Sequence, residues 1–561
     1  MSPASRIVVT LEDGSRVEAA PQTPVGDFAP RDRPASELPY IGALVNNEVT
    51  SLTYPLDVNS TVRFLTMSDP HGWPIYERSV AFLLAKTVRE LFPERRLALE
   101  YSLGPGVFCD FEHNGACPAP CVATEDEVRR IRDRMRELVA QDIPVERLKV
   151  SYDDVVALFE QSGQRDKRNL LTFLNPPKIV MHRCAGFSDL AHGPRAPSTG
   201  VLRCFDLIPY PPGFVLQFPA KGNPAVVAPF KDQPHLFRIF QEHKEWGRIL
   251  GVNTVGRLNE VISNGEISEF IKISEALHEK KLARIADRIT GQLDRARIVL
   301  IAGPSSAGKT TFAKRLAIQL RVSGLRPIAI STDNYFVETE RTPRDAKGEL
   351  DFEHIEAVDI ELFNQHLLQL IHGEEVSLPR FDFQTRRRVY SGKKLKIDAD
   401  QIILIEGIHG LNPRLTCRIP EGHAFRVYIS ALTQLSIDSN TRISTTDNRL
   451  LRRLVRDSKY RGHPAVTTLR MWPSVRRGEE IWVFPFQGGA DETFNSALDY
   501  ELAVLKHMAE PLLAMVKPSD PEYAEARRLS AFLMHFLAVS DREVPSTSIL
   551  REHIGRSSFR Y

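Results

Sequence analysis

The run Gly303-Pro304-Ser305-Ser306-Ala307-Gly308-Lys309-Thr310 has glycines at its first and sixth positions and closes on a lysine–threonine pair. Glycines let the backbone turn tightly enough to aim successive N–H groups at one point. A helix starting there adds the positive end of its dipole. Such a loop cradles phosphate: Lys309 would place an ammonium on the β- and γ-phosphates, and the Thr310 hydroxyl would ligate Mg²⁺. Thr311 completes the expected ATP-binding set, and ATP and Mg²⁺ are the expected cofactors. The flanks agree, since the apolar string RIVLIA enters the loop and TTFAKRLAIQL leaves it at helical spacing. The loop alone does not separate a kinase from an ATPase or a GTPase.

Acids and arginines further along bear on that choice. The string PIAIS runs into Thr332-Asp333-Asn334-Tyr335-Phe336. In an open parallel sheet, functional groups gather at the carboxyl ends of strands, so Asp333 would face the phosphate site and accept the proton of an attacking hydroxyl. A helix N-cap is the bland alternative for an aspartate so placed. Glu406 ends QIILIE and could hold Mg²⁺ directly or through water, or simply pair with a nearby cation. Arg449, Arg452, Arg453 and Arg456 recur at i, i+3, i+4, i+7, and Arg461 follows. A basic stripe is usually a solvated helix face; beside a phosphate loop it becomes a lid that stabilises charge on a transferring phosphoryl group.

These residues need a frame. From Arg297 onward, short apolar strands (297–302, 327–331, 401–405 and 425–429) alternate with helical stretches, the pattern of a parallel α/β sheet. Residues 236–290 read as a helical connector. Residues 5–67 read as a β-rich unit, with a hairpin turning at Asp13-Gly14 and another at Asn46-Asn47. Val80, Leu83, Leu84 and Val88 mark one face of a helix over Tyr76–Leu91. The chain after Tyr500 is helical in pattern and is expected to pack on the α/β core, with a partner-binding helix as the alternative.

The ordered strings Gly303–Thr311, Ser331-Thr332-Asp333, Asp351-Phe352-Glu353-His354, Leu378–Phe383, Ile405-Glu406-Gly407 and Arg449–Gly462 resemble the uridine kinase and phosphoribulokinase family, closest to the uridine–cytidine kinases. The resemblance implies ATP-dependent phosphorylation of a sugar hydroxyl, the 5′-OH for a nucleoside. It implies Asp333 as general base, Lys309 as phosphate clamp, Thr310 and Glu406 on the metal, and Arg453, Arg456 and Arg461 in the lid. Glu353 matches a ribose-binding aspartate, and Tyr335, Phe336, His354, Phe381 and Arg386 complete the expected substrate side. Where that family carries Tyr-Asp-Phe-x-x-His, this chain has Phe381-Asp382-Phe383-Gln384-Thr385-Arg386. A guanidinium in place of imidazole alters both hydrogen bonding and charge. The acceptor is therefore either a nucleoside or another polyol or sugar phosphate.

Residues 5–67 resemble the TGS domain of threonyl-tRNA synthetase, and residues 68–215 its second additional, editing domain. The strings carrying this are Glu77–Ala85, Leu91-Phe92-Pro93 and Phe187–Gly200. The editing residues of that family fall on Arg78, Phe82, Ala191 and Arg195, none of which ligates metal or exchanges protons near neutral pH. The expectation is a fold without hydrolysis, with Arg78 and Arg195 forming either a cationic pocket or ordinary salt bridges. Cys109, Cys117 and Cys121, with His113 between them, match no established zinc spacing.

The expected order is thus a TGS-like β-grasp domain (1–67), an editing-like module (68–235), the connector (236–290), a P-loop α/β kinase (291–500) and a helical extension (501–561). That is a multidomain α+β and α/β chain, and 561 residues at about 150 per domain call for three or four modules. The 73 basic and 71 acidic side chains leave a net charge of +2, which argues against a nucleic-acid coat but leaves open tRNA contact by residues 1–235, the chain then being a tRNA- or RNA-associated regulator whose nucleotide site acts as a switch. Six cysteines and no apolar leader fit a reducing, cytoplasmic setting without a membrane span. Self-association is left open.

Overall fold

The computed structural model describes residues 6–561 apart from 31–33, 35–36, 113–121, 221–222, 294–295, 346, 383–384, 386, 399–400 and 421. The chain forms two compact units, neither of them a continuous stretch. The first holds residues 1–260 together with 434–443 and 513–537, and the second holds 261–433, 444–512 and 538–561. Among the described residues, no helix is long and apolar enough to cross a membrane.

The first unit opens on a five-stranded sheet ordered Arg16–Ala19, Ile7–Leu11, Ser60–Thr66, Tyr40–Val45, Glu48–Thr50. Its hairpins turn where expected. Gly14 takes a left-handed φ of 82°, and Asn46 and Asn47 take 50° and 61°, a conformation asparagine tolerates better than most residues. Helix Trp73–Leu91 buries Val80, Leu83, Leu84 and Val88 in a core shared with helix Glu125–Ala140, whose start is fixed by a capping box between Thr124 and Glu127. A four-stranded and a three-stranded sheet complete the unit.

In the second unit the elements are α1 (Ile267–Thr290), β1 (Ile298–Ala302), α2 (Lys309–Val322), β2 (Arg326–Ser331), α3 (Ile360–Ile371), β3 (Gln401–Glu406), β4 (Ala424–Ser430), α4 (Thr445–Arg461), α5 (Ala465–Trp482), β5 (Glu492–Asn495), α6 (Glu501–Ala514) and α7 (Arg551–Ile554). The sheet is ordered β2-β3-β1-β4-β5 and every neighbouring pair is parallel. Side chains alternate across β1. Val299 and Ile301 pack with Phe312, Leu316 and Leu320 of α2 and with Leu282 and Ile285 of α1, while Ile298 and Leu300 pack with Phe363 and Leu367 of α3. Each fully buried Phe or Leu on these faces contributes roughly 2 kcal/mol. The two-sided core makes the central strands apolar throughout, and the register brings Ser331 opposite Glu406 at the carboxyl edge. One sheet edge therefore carries the phosphate loop, Asp333 and Glu406.

Candidate active site

The loop 303–308 joins β1 to α2 as the sequence predicts. Its two glycines have separate reasons. A Cβ at Gly303 would run into the Ile429 carbonyl of β4, and Gly308 starts α2 at a φ of 83°. Pro304, Ser306 and Ala307 are buried, whereas Ser305, Lys309 and Thr310 are partly open. The Lys309 ammonium donates back to the Pro304 carbonyl at 3.1 Å. Thr310 is the second residue of α2 and faces the same edge as Glu406.

Asp333 sits in a single helical turn, Thr332–Tyr335, that directly follows β2. The cap of that turn is Ser331, whose hydroxyl accepts from the Asp333 N–H at 3.3 Å. The aspartate carboxylate is thus left for chemistry rather than capping. It is reachable by solvent, yet surrounding protein raises its pKa against the opposing pull of Lys309, Arg461 and Arg456. Burial and the neighbouring Asp333 push Glu406 up to about 7, opposed by Lys309 and the Ser331 hydroxyl. Burial and Glu479 push Glu353 up to about 7 as well, opposed by Arg453 and Lys309. A group of acids this close to one another favours a positive charge between them. The hard oxygens of Thr310 and Glu406 fit Mg²⁺, which commonly takes one or two protein ligands and fills its shell with phosphate oxygens and water. Among the described residues, no group of three or more His, Cys, Asp or Glu is placed to hold a metal ion by itself.

The arginine stripe of α4 divides into two rows. Arg449 and Arg452 are fully buried. Arg449 donates to the Ser305 carbonyl and pairs with the equally buried Glu479 of α5, which in turn accepts the Ser305 N–H at 2.8 Å. Arg452 pairs with Glu501 at 2.6 Å and donates to the Ser306 and Ser496 carbonyls. These two hold the loop in shape. Arg453, Arg456 and Arg461 instead gather on Asp457, at 3.2, 2.8 and 3.7 Å. Burial would raise the Asp457 pKa, but the three guanidiniums outweigh it and hold the carboxyl below its usual range. Arg453 also donates to the Ser305 hydroxyl at 2.8 Å.

The expected substrate residues separate. Glu353 adjoins Arg453, Lys309 and Asp333, and the ring of His354 meets Trp482 edge-on at 4.5 Å. Tyr335 is turned into the core, its hydroxyl 3.1 Å from His366 Nδ1 and its ring edge-on to Phe363. Phe336 and Phe381 are buried against each other. All three aromatics support the wall from behind, because a buried apolar ring following a strand end gains more from the core than from water. Arg386 lies outside the described residues. Arg388, which the sequence did not single out, holds the Tyr335 and Phe336 carbonyls and pairs with Asp359 at 3.1 Å. Glu479, Glu501 and Asp457 were likewise missed. Their only signal is partnership with arginines distant in sequence or already assigned elsewhere.

In the first unit, Arg78 and Arg195 do not form an open cationic pocket. Arg195 is buried over the Phe82 ring and donates to His182 Nδ1 and the Leu190 carbonyl. Arg78 donates to the Pro194 carbonyl. Burial, with Arg195 alongside, drives His182 down to about 2, so it stays neutral. Cys109 is a buried strand residue with a free thiol. His113, Cys117 and Cys121 lie outside the described residues.

Residues 298–497 match the model of the Phosphoribulokinase / Uridine kinase family. The N-terminal part is similar to threonine–tRNA ligases, at 31% identity over 201 residues for that of Syntrophotalea carbinolica and 31% over 208 for that of Thermotoga neapolitana. Each alignment covers 36% of this chain, and the chain spans only about a third of those relatives, 31% and 30%. Among solved structures, a possible uridine kinase from Bacillus stearothermophilus aligns at 21% identity and a TM-score of 0.25, over 38% of this chain and 100% of that one. The chain thus carries a phosphoribulokinase/uridine kinase family domain over residues 298–497, behind a region similar to threonine–tRNA ligases.

Proposed function

We propose that this protein transfers the γ-phosphoryl group of ATP to a hydroxyl of a nucleoside, forming the 5′-monophosphate. The observation that carries this reading is Asp333, a carboxylate with no capping duty, lying within the field of Lys309, Arg456 and Arg461 at the strand edge beside the phosphate loop. Asp333 accepts the proton of the attacking hydroxyl. Lys309 and the lid arginines stabilise negative charge as it moves to the leaving oxygen. Thr310 and Glu406 would hold Mg²⁺, which supplies further charge neutralisation. The loop N–H groups fix the phosphates in line.

The acceptor side is acidic. Glu353 and Glu406 each lie within electrostatic reach of Asp333, and both have pKa values near 7. Such a surface favours a neutral, hydroxyl-rich acceptor, to which a protonated Glu353 can donate, over one bearing its own phosphate. A polyol is the runner-up within the same reaction class. The test is coupled ADP release over a panel of nucleosides, polyols and sugar phosphates with Lys309→Ala as the blank. Uridine or cytidine turnover supports the nucleoside reading, and turnover of polyols alone replaces it.

A second reading concerns residues 1–235, whose similarity to threonine–tRNA ligases favours contact with tRNA. Binding of tRNA that weakens steeply with salt would support it, and no binding at low salt would remove it.

A further inference from the structure

We propose that the segment Ile549–Tyr561 is an intramolecular competitor of the nucleotide, with Glu552 occupying the phosphate-binding end of α2. This rests on nucleotide binding at the loop 303–310, as proposed above, and adds a regulated occupant to that site.

The observations start from Thr311. Its N–H belongs to the first turn of α2, where no intrahelical carbonyl is available to accept it. Together with its hydroxyl it points where a phosphate oxygen would be held. Both donors are already taken. The Glu552 carboxylate accepts from the Thr311 N–H at 3.1 Å and from its Oγ1 at 2.8 Å. The Tyr561 hydroxyl lies 2.8 Å from the same Oγ1. Ile549 covers Gly308 so closely that a Cβ there would strike its side chain. An anion on a helix N-terminus, on donors that would otherwise hold phosphate, is competition by shape and by charge.

The tail is built to dock as a unit. Arg551 folds it, donating to the carbonyls of Asp541 and Val544 at 2.6 Å each and pairing with the Asp541 carboxylate at 3.0 Å. Lys459, on the lid helix α4, donates to the Ile554 carbonyl at 2.6 Å. The segment therefore ties the lid helix to the loop helix. The docked arrangement also carries a defect. His553 is fully buried beside Arg452, Arg456 and Lys309, and among the described residues neither of its ring nitrogens has a hydrogen-bond partner. An imidazole so placed gains partners when the tail lifts, which makes the docking reversible.

Release of Thr311 would let the phosphates in and free Lys459 and the lid together. Glu552→Gln keeps the shape and removes the charge. In the full-length protein, calorimetric binding of Mg²⁺ with the non-hydrolysable analogue AMP-PNP is expected to be at least about 5-fold tighter in this variant than in wild type. Hydrogen exchange of wild-type residues 546–561 is expected to speed up when AMP-PNP is added. Unchanged or weaker binding in Glu552→Gln, or slower exchange of the tail with nucleotide, would overturn the proposal in favour of Glu552 as a fixed support of the loop. If wild type binds no AMP-PNP under any condition, the nucleotide reading itself fails, and this inference with it.

Discussion

Asp333 and Glu353 are both carboxyls whose pKa the surrounding protein raises, but they make opposite demands on pH. As the proposed base, Asp333 would act only when ionised, so activity should fall as pH drops through the range where the Asp333–Glu406 pair takes up a proton. With Glu406 near 7, the acid limb of kcat is expected close to neutrality and belongs to the pair rather than to either residue. A profile flat between pH 5.5 and 8 would contradict it. Asp333→Asn should lower kcat by about 10²–10⁴ while leaving nucleotide affinity within a few-fold, measured by single-turnover kinetics and calorimetry. Glu353 concerns stability. Its folded pKa of about 7 lies above that of an unfolded glutamate, so its contribution is whole at pH 4 and is lost as pH rises through 7. Glu353→Gln should therefore melt about 2–4 °C higher than wild type at pH 8 and no higher at pH 4, in matched thermal scans. The chemical identities of both residues were legible in the sequence. Their protonation was not, because that of Glu353 depends on Glu479 and Arg453 and that of Asp333 on Lys309, Arg461 and Arg456, which only the fold brings near.

Helix α4 shows what periodicity can and cannot say. The spacing i, i+3, i+4, i+7 puts four arginines on nearly one face, and that much is legible in the spacing itself. The division of the stripe is not. Arg449 and Arg452 point to buried Glu479 and Glu501, whereas Arg453 and Arg456 reach the charged cleft with Arg461. Removing one partner of a buried ion pair strands the other, at a cost of roughly 3–5 kcal/mol. Arg452→Met is accordingly expected to lower the melting temperature by at least several degrees. Arg461→Gln, whose contact with Asp457 is the longest of the three at 3.7 Å, should leave it within about 2 °C and lower kcat by one to three orders of magnitude. Thermal scans and steady-state rates on the two variants separate the roles, and equal losses in both measurements would refute the division. The same limit applies to β5. Its four residues, Glu492–Asn495, are too short and too polar to announce a strand, although they pair in parallel with Val427–Ser430. The four longer strands were all visible because apolar side chains dominate each of them, even β2, where only Ile330 is buried.

At the scale of the whole chain, sequence order and spatial order part company. Motifs locate the N-terminal modules and the kinase along the chain, but the first compact unit also takes in residues 434–443 and 513–537. Neither segment has a motif that marks it for that role, and composition could not have shown it. The attachment is polar and buried. Lys167 bonds the Asp189 carboxylate at 2.5 Å and the Asn440 side chain at 2.9 Å, and His192 Nε2 lies 2.6 Å from Asp438, which is itself almost wholly buried. Burial would raise the Asp438 carboxyl, but His192 and Lys167 hold it well below the usual range. His535 and Asn259 continue the network, Asn259 bonding the backbone of His535 and Leu537. A fragment ending at residue 260 retains Lys167 with Asp189, and His192 and Asn259, but lacks Asn440, Asp438, His535 and Leu537, together with Ala524, which sits in its main core. Each stranded buried group costs about 1–3 kcal/mol, against a typical domain stability of 5–15 kcal/mol. Residues 1–260 alone are therefore expected to show no cooperative thermal transition, or one at least 10 °C below the corresponding transition of the full chain. Adding residues 434–443 and 513–537 back through short linkers should restore it. A fragment that melts like the full-length protein would show that the borrowed segments decorate the unit rather than complete it.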